Sequence, residues 1–209
     1  MDLAGRPLLA QILRRVAAAR HLDEVVVATS VAPGDDAVES LATAAGLRCI
    51  RGSEDDVLGR FVDAAREAAA EVVIRITGDC PLTDPNVVDS VVKALLQGSE
   101  PADYASNVLR RTFPRGLDVE AMHFDVLARM ARLGVSRGAR EHVTWFARKE
   151  RPDLFVLRSV EHTIDLSHLD WSVDTETDLT EVRRIYELAG LGERLVPWTD
   201  VAEVSGRSS

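Results

Sequence analysis

Two hydrophobic rhythms take turns through the first half of the chain. Leu8, Leu9, Ile12, Leu13, Val16 and Ala17 recur with helical spacing, and Pro7 suits a first helical turn. A β-branched run follows: Glu24 to Ser30, with its Val-Val-Val-Ala-Thr core, reads as a buried strand. Helical spacing returns over Asp35 to Ala45 and stops at Gly46, and Arg48 to Arg51 reads as a short strand. Ser53-Glu54-Asp55-Asp56 is close to a capping box, and the helix after it has Val57, Leu58, Phe61, Val62 and Ala65 on its apolar face. Val72 to Ile76 is the next strand. Asp84 and Pro85 then open a helix with Val87, Val88, Val91, Val92, Leu95 and Leu96 on one side, closed by Gly98. This alternation predicts an α/β fold, a parallel sheet covered on both faces.

The second half is less regular. Tyr104 to Asn107 reads as a strand end, Arg110 to Gly116 as a basic loop, and Leu117 to Met122 as a strand before a helix over Phe124–Leu133. Arg140 to Arg148 has helical spacing, and its apolar part, Val143–Phe146, suggests core or a homodimer face. Phe155-Val156-Leu157 is a strand candidate, and Trp171-Ser172-Val173-Asp174 a short strand ending in an acid. Thr175 to Asp178 can cap a helix carrying Leu179, Val182, Ile185 and Tyr186. Residues 205–209 read as a frayed tail. The 209 residues contain no repeat or linker, so a single domain is expected.

Composition narrows the function. A net charge of -9 argues against a general nucleic-acid or anionic-membrane binder. No apolar run is long enough to span a bilayer, and the N-terminus lacks a signal-peptide pattern. Two cysteines, Cys49 and Cys80, show no zinc spacing and fit a reducing compartment, so the cytoplasm is expected.

The candidate chemistry lies where strands end. Val73 to Pro85 contains a β-branched run that stops at Gly78-Asp79, the position where open α/β sheets hold ligands. Asp174 ends a second strand candidate in the same way. Two carboxylates on one sheet edge, with positions left for water, describe a Mg2+ site that waits for substrate phosphates. Each acid alone has a plainer reading: Asp79 as the cap of the next turn, Asp174 as an acid favoured at a helix N-terminus.

Six segments, in order, resemble a known family: Arg51-Gly52-Ser53-Glu54-Asp55-Asp56-Val57-Leu58, Arg75-Ile76-Thr77-Gly78-Asp79-Cys80-Pro81-Leu82, Tyr104-Ala105-Ser106-Asn107, Pro114-Arg115-Gly116-Leu117-Asp118-Val119-Glu120, Arg140-Glu141-His142-Val143-Thr144 and Trp171-Ser172-Val173-Asp174-Thr175. Together they resemble the spore-coat polysaccharide biosynthesis protein F group of cytidylyltransferases, itself similar to the synthetases of CMP-ketodeoxyoctonate and CMP-sialic acid. The resemblance implies a nucleotide-diphospho-sugar transferase (Rossmann-like) fold with a mixed, mostly parallel sheet. It implies a nucleotidyltransferase that moves CMP from CTP to a sugar or sugar-acid acceptor, releases pyrophosphate and uses Mg2+ in polysaccharide precursor synthesis. Asp79 and Asp174 match the two metal-binding acids. Thr29, Ser30, Gly52, Ser53 and Thr77 fall on the nucleotide side, although Ser53 also reads as a helix cap. Asn107, Arg115, Glu120 and His142 fall on the acceptor side, where Arg115 suits a carboxylate or phosphate. Arg115 also reads as a solvated loop residue and His142 as a structural histidine. Cys80 reads as a small packing residue. Asp170 stands where the resemblance expects a basic residue.

The same resemblance implies a strand and a glycine-rich phosphate loop ahead of Met1. Without them the expectation is a sheet with unpaired neighbours and weak CTP binding. A start site set too far downstream is the favoured account. A degenerate homologue and a strand donated by a partner are the others. Two further functions stay open: a nucleotide-sugar glycosyltransferase, whose usual Asp-x-Asp motif is not matched by Gly78-Asp79-Cys80-Pro81, and a non-catalytic binding module.

Overall fold

The computed structural model describes residues 1–98 and 100–205. A hairpin of β1 (Asp2–Leu3) and β2 (Arg6–Pro7) leads into α1 (Leu8–Val16). Next come β3 (Val26–Ser30), α2 (Asp36–Ala44), β4 (Arg48–Gly52), α3 (Val57–Glu67), β5 (Val72–Arg75) and α4 (Pro85–Leu96). The second half holds β6 (Tyr104–Ser106), β7 (Glu120–His123), α5 (Phe124–Leu133), α6 (Arg137–Glu141), β8 (Leu157–Ser159), α7 (Glu176–Ala189) and α8 (Trp198–Ser205). No described helix is long and apolar enough to cross a membrane.

The alternation of apolar residues along the strands builds two cores. On one face Ala105 and Ala121, with Val72, Ile74 and Ile76 beside them, meet α1, α4, α7 and α8. On the other Val73, Tyr104 and Met122 meet α3, α5 and Val143. Successive side chains of a strand point to opposite faces, so one short run feeds both layers.

The sheet is mixed and interrupted. β3 and β4 form a parallel pair, whereas β5, β7, β6 and β8 form a four-stranded piece in that order. β7 is antiparallel to both its neighbours, and β6 and β8 are parallel. Among the described residues no strand pairs with the second edge of β3 or of β5. Helices tie the two pieces together instead. α1 sends Leu9 and Leu13 to Val27 and Leu8, Ile12 and Val16 to the larger core, and α3 packs on β3 and β4 while Leu58 and Val62 join Val73.

Several expectations need correction. The helical spacing over Arg140–Arg148 is broken: α6 ends at Glu141, Val143 takes a positive φ of 49°, and a π-helical turn follows at Phe146–Glu150. A β-branched residue is strained there, but the break buries Val143 completely and turns Thr144 inward. Phe146 is buried too, which leaves Trp145 as the partly exposed apolar residue of the segment whose spacing suggests a dimer face. Trp171–Asp174 forms no strand and bends at Asp174, and β7 starts at Glu120 rather than Leu117. Ser205 is the last residue of α8, and the rest of the expected tail, 206–209, lies outside the described residues.

The interruption has a measurable signature. Backbone amides of β3 and β5 that face the gap should exchange with deuterium at least about ten-fold faster than those of β6, which is paired on both edges. Equal protection across all three strands would contradict this arrangement.

Candidate active site

β5 ends at Arg75, and Ile76-Thr77 carry the extended chain into a turn at Gly78-Asp79. Asp79 is half-buried. Its Oδ1 accepts hydrogen bonds from the Thr77 hydroxyl and, at 3.3 Å, from the Cys80 thiol. Burial, helped by the Asp79 charge, pushes the Cys80 thiol well up, so it stays protonated as a packed S–H donor. Asp79 does not cap α4. Asp84 does so, accepting from the Asn86 amide at 2.7 Å, while its other oxygen takes the Trp198 amide at 2.8 Å. The turn between these two acids is braced from behind. The Tyr186 hydroxyl donates to the Pro81 carbonyl at 2.7 Å, and Arg15 Nε donates to the Thr83 carbonyl at 2.6 Å.

Asp174 reaches the same place from the far end of the chain. The amide of Val173 donates to the Asp79 carbonyl at 2.9 Å. Gly116 makes this approach possible. Its φ is 86°, and a Cβ there would stand 2.6 Å from the Trp171 carbonyl carbon, so only glycine lets the loop lie against this backbone. The Trp171 amide then donates to the Arg115 carbonyl at 3.0 Å. The α7 N-terminus is capped by Thr175 and Asp178 in a reciprocal box. Asp178 also accepts the Asp174 amide at 3.1 Å, which leaves the exposed Asp174 carboxylate outside the cap.

The other candidates divide sharply. Thr29 and Ser30 end β3, but their hydroxyls donate to Asp35 at 2.8 and 2.6 Å and hold that carboxyl below its usual range. Gly52 lies against the Arg60 side chain: a Cβ on Gly52 would stand 3.1 Å from Arg60 Cγ. Ser53 does not cap α3: Asp56 does, accepting the Gly59 amide at 2.8 Å, and Ser53 accepts the Asp56 amide at 3.1 Å. Asn107 is fully buried and clamps the loop, donating to the Leu117 carbonyl at 2.7 Å and accepting from the Val119 amide at 2.9 Å.

Glu120, only 2% exposed, is occupied as well. It pairs with Arg75, accepts the Tyr104 and Thr144 hydroxyls at 2.6 and 2.5 Å, and lies 3.4 Å from Arg148. Burial alone would raise its pKa, yet Arg75, Arg148 and the two hydroxyls outweigh burial and hold the carboxyl below the usual range. Asn107 and Glu120, both expected to contact an acceptor, are therefore buried and occupied by partners within the fold. His142 is exposed with its ring 5.7 Å from that of Trp145, and Arg115 is exposed 3.9 Å from Asp170.

Arg111 and Asp118 are not singled out by sequence reasoning. They form a two-pronged ion pair at 2.6 and 2.7 Å across the basic loop, near enough to Cys80 for the Asp118 charge to raise the thiol further. A signal for the pair does exist: a basic and an acidic residue face each other across the Pro114-Arg115-Gly116 turn. Asp170 is drawn into the same rim, accepting the Ser172 hydroxyl at 2.6 Å.

The donor set at the centre is thus two carboxylates on backbone segments joined by a hydrogen bond. No cluster of three or more ligating side chains occurs among the described residues. This set fits a hard divalent cation that keeps much of its water.

The family profile described as cytidylyltransferase matches residues 1–189. An uncharacterized protein of Methanocaldococcus jannaschii is 36% identical over 155 residues, a match covering 74% of this chain and 61% of that protein's length. The spore coat polysaccharide biosynthesis protein SpsF of Bacillus subtilis is 30% identical over 171 residues, covering 80% of this chain and 69% of SpsF. The solved structure of a cytidylyltransferase from Leptospira borgpetersenii serovar Hardjo-bovis superposes with a TM-score of 0.91 at 25% identity, covering 99% of this chain and 86% of that one.

Replacing Glu120→Gln strands Arg75 and Arg148 and should cost on the order of 3–5 kcal/mol at neutral pH, read from urea unfolding. Because the folded carboxyl is held low, its contribution is present above the unfolded value of about 4.3 and is lost as pH falls through the folded one. The parent should therefore lose stability below about pH 4.3 more steeply than Glu120→Gln. Parallel pH profiles would refute this role.

Proposed function

The chain belongs to the cytidylyltransferase family, and we propose that it transfers a cytidylyl group from CTP to a hydroxyl of a sugar or sugar acid, releasing pyrophosphate. The observation that supports this reading is the hydrogen bond from the Val173 amide to the Asp79 carbonyl, which joins the backbone segments that carry Asp79 and Asp174. Members of the family generally need a divalent metal. Asp79 and Asp174 would hold it, and Mg2+ suits their all-oxygen donor set. Bound there, the cation would neutralise charge on the phosphate oxygens.

The acceptor hydroxyl attacks the α-phosphorus in line. A bond forms from the acceptor oxygen to phosphorus, the bond from the α-phosphorus to the bridging oxygen breaks, and the hydroxyl proton is lost to solvent. The protein mainly positions the partners for this. On this reading the nucleotide lies along the ends of β3 and β4, near Thr29, Ser30, Gly52 and Ser53. The exposed guanidinium of Arg115 holds an acceptor carboxylate, and His142 is the other exposed residue that this reading assigns to the acceptor. Asn107 and Glu120 act as supports. The reading places the protein in the cytoplasm, where CTP is made, in the synthesis of polysaccharide precursors.

Incubation with CTP, Mg2+ and a panel of sugars and sugar acids should release pyrophosphate, with calorimetry reporting Mg2+-dependent CTP binding. Asp79→Asn and Asp174→Asn should each lower turnover by at least about 100-fold while leaving thermal stability nearly unchanged. No heat with Mg2+–CTP and no pyrophosphate from any acceptor would favour a non-catalytic module instead.

A further inference from the structure

We propose that Thr77 is a positioning residue that orients the Asp79 carboxylate for a divalent cation, rather than a contact to the nucleotide. The inference rests on the reading of Asp79 as a metal ligand. Its physical basis is the unequal treatment of the two carboxylate oxygens. The Thr77 hydroxyl and the Cys80 thiol both donate to Oδ1, and they lie 3.2 Å from each other, so three side chains close a small ring. Among the described residues Oδ2 accepts no hydrogen bond. One oxygen is thus committed to the protein and the other is left free, the division expected of a carboxylate that binds metal through a single oxygen.

The ring is also hard to deform. Thr77 is β-branched and has few side-chain rotamers. Cys80 is 3% exposed and so held among packed neighbours. The turn beyond it is tied to α7 and α1 through Pro81 and Thr83. With its only proton given to Asp79, the Thr77 hydroxyl has no donor left for a ribose or phosphate oxygen. Outer-shell hydrogen bonds of this kind fix the direction of a ligand, and their loss typically weakens metal binding about 10–100-fold.

Mn2+ titration of the purified chain, with the free ion followed by electron paramagnetic resonance, tests the role without relying on turnover. Thr77→Val should weaken Mn2+ binding at least about ten-fold, and Thr77→Ser, which restores the donor, should return it to within about three-fold of the parent. Asp79→Asn should abolish it. If Thr77→Val does not fold, as judged by circular dichroism, Thr77→Ala carries the same expectation. Parent-like Mn2+ affinity in a folded Thr77→Val or Thr77→Ala, with Asp79→Asn still unable to bind, overturns the positioning role alone. No Mn2+ binding by the parent, or none lost in Asp79→Asn, overturns the metal site itself and this role with it.

Discussion

One backbone hydrogen bond, from the Val173 amide to the Asp79 carbonyl, sets the geometry on which the site depends. Its own worth is about 1 kcal/mol, too little to stabilise a domain. Its importance lies in registration: it joins two segments that are far apart in sequence, one at Asp79 and the other one residue before Asp174. The surroundings serve that meeting. Gly116 lets the basic loop lie flat on Trp171 and Ser172. The Thr175–Asp178 box takes over helix capping, so Asp174 is not used for it. Asp84 does the same for α4 on behalf of Asp79.

A second pattern runs through the charged residues. Glu120 and Asp84 have both oxygens filled by neighbouring donors, Asp35 and Asp178 gather several donors on one oxygen each, and all four act as parts of the framework. Asp79 has donors on one oxygen from a hydroxyl and a thiol, and among the described residues the Asp174 carboxylate accepts no hydrogen bond. Burial alone does not separate the groups, since Asp79 is itself half-buried. The difference lies in which donors the local backbone brings within reach. A buried carboxylate needs partners to offset its desolvation, whereas one at a turn can leave an oxygen to solvent or to a cation.

Much of this is legible in the letters. The helices beginning at Leu8, Val57, Pro85, Phe124 and Glu176 and the strands Val26–Ser30 and Val72–Arg75 follow from apolar period and caps, which are local properties. The expectation that the Asp79 and Asp174 segments come together rests on two acids read at the ends of extended runs, and the Val173 amide on the Asp79 carbonyl joins those segments. What fails to show is decided at long range. Val143 breaks a good helical period because its burial, and the reach of Thr144 to Glu120, prevail over local preference. Asn107 and Glu120 look like pocket residues by type and position. Only the fold reveals that the Leu117 and Val119 backbone occupies the first and two arginines the second. Ser53 and Asp56 are both plausible caps, and three residues of chain geometry decide for Asp56.

The break between β3 and β5 bears on the mechanics of the molecule. Residues assigned to the nucleotide stand on one piece of the sheet, and the acid at the end of β5 stands on the other. Among the described residues no ladder of amides and carbonyls crosses between them, so resistance to sliding comes from side-chain packing of α1 and α3, which yields more readily than a strand pair. A ligand touching both sides would act as a strut, stiffening the body by spanning that seam.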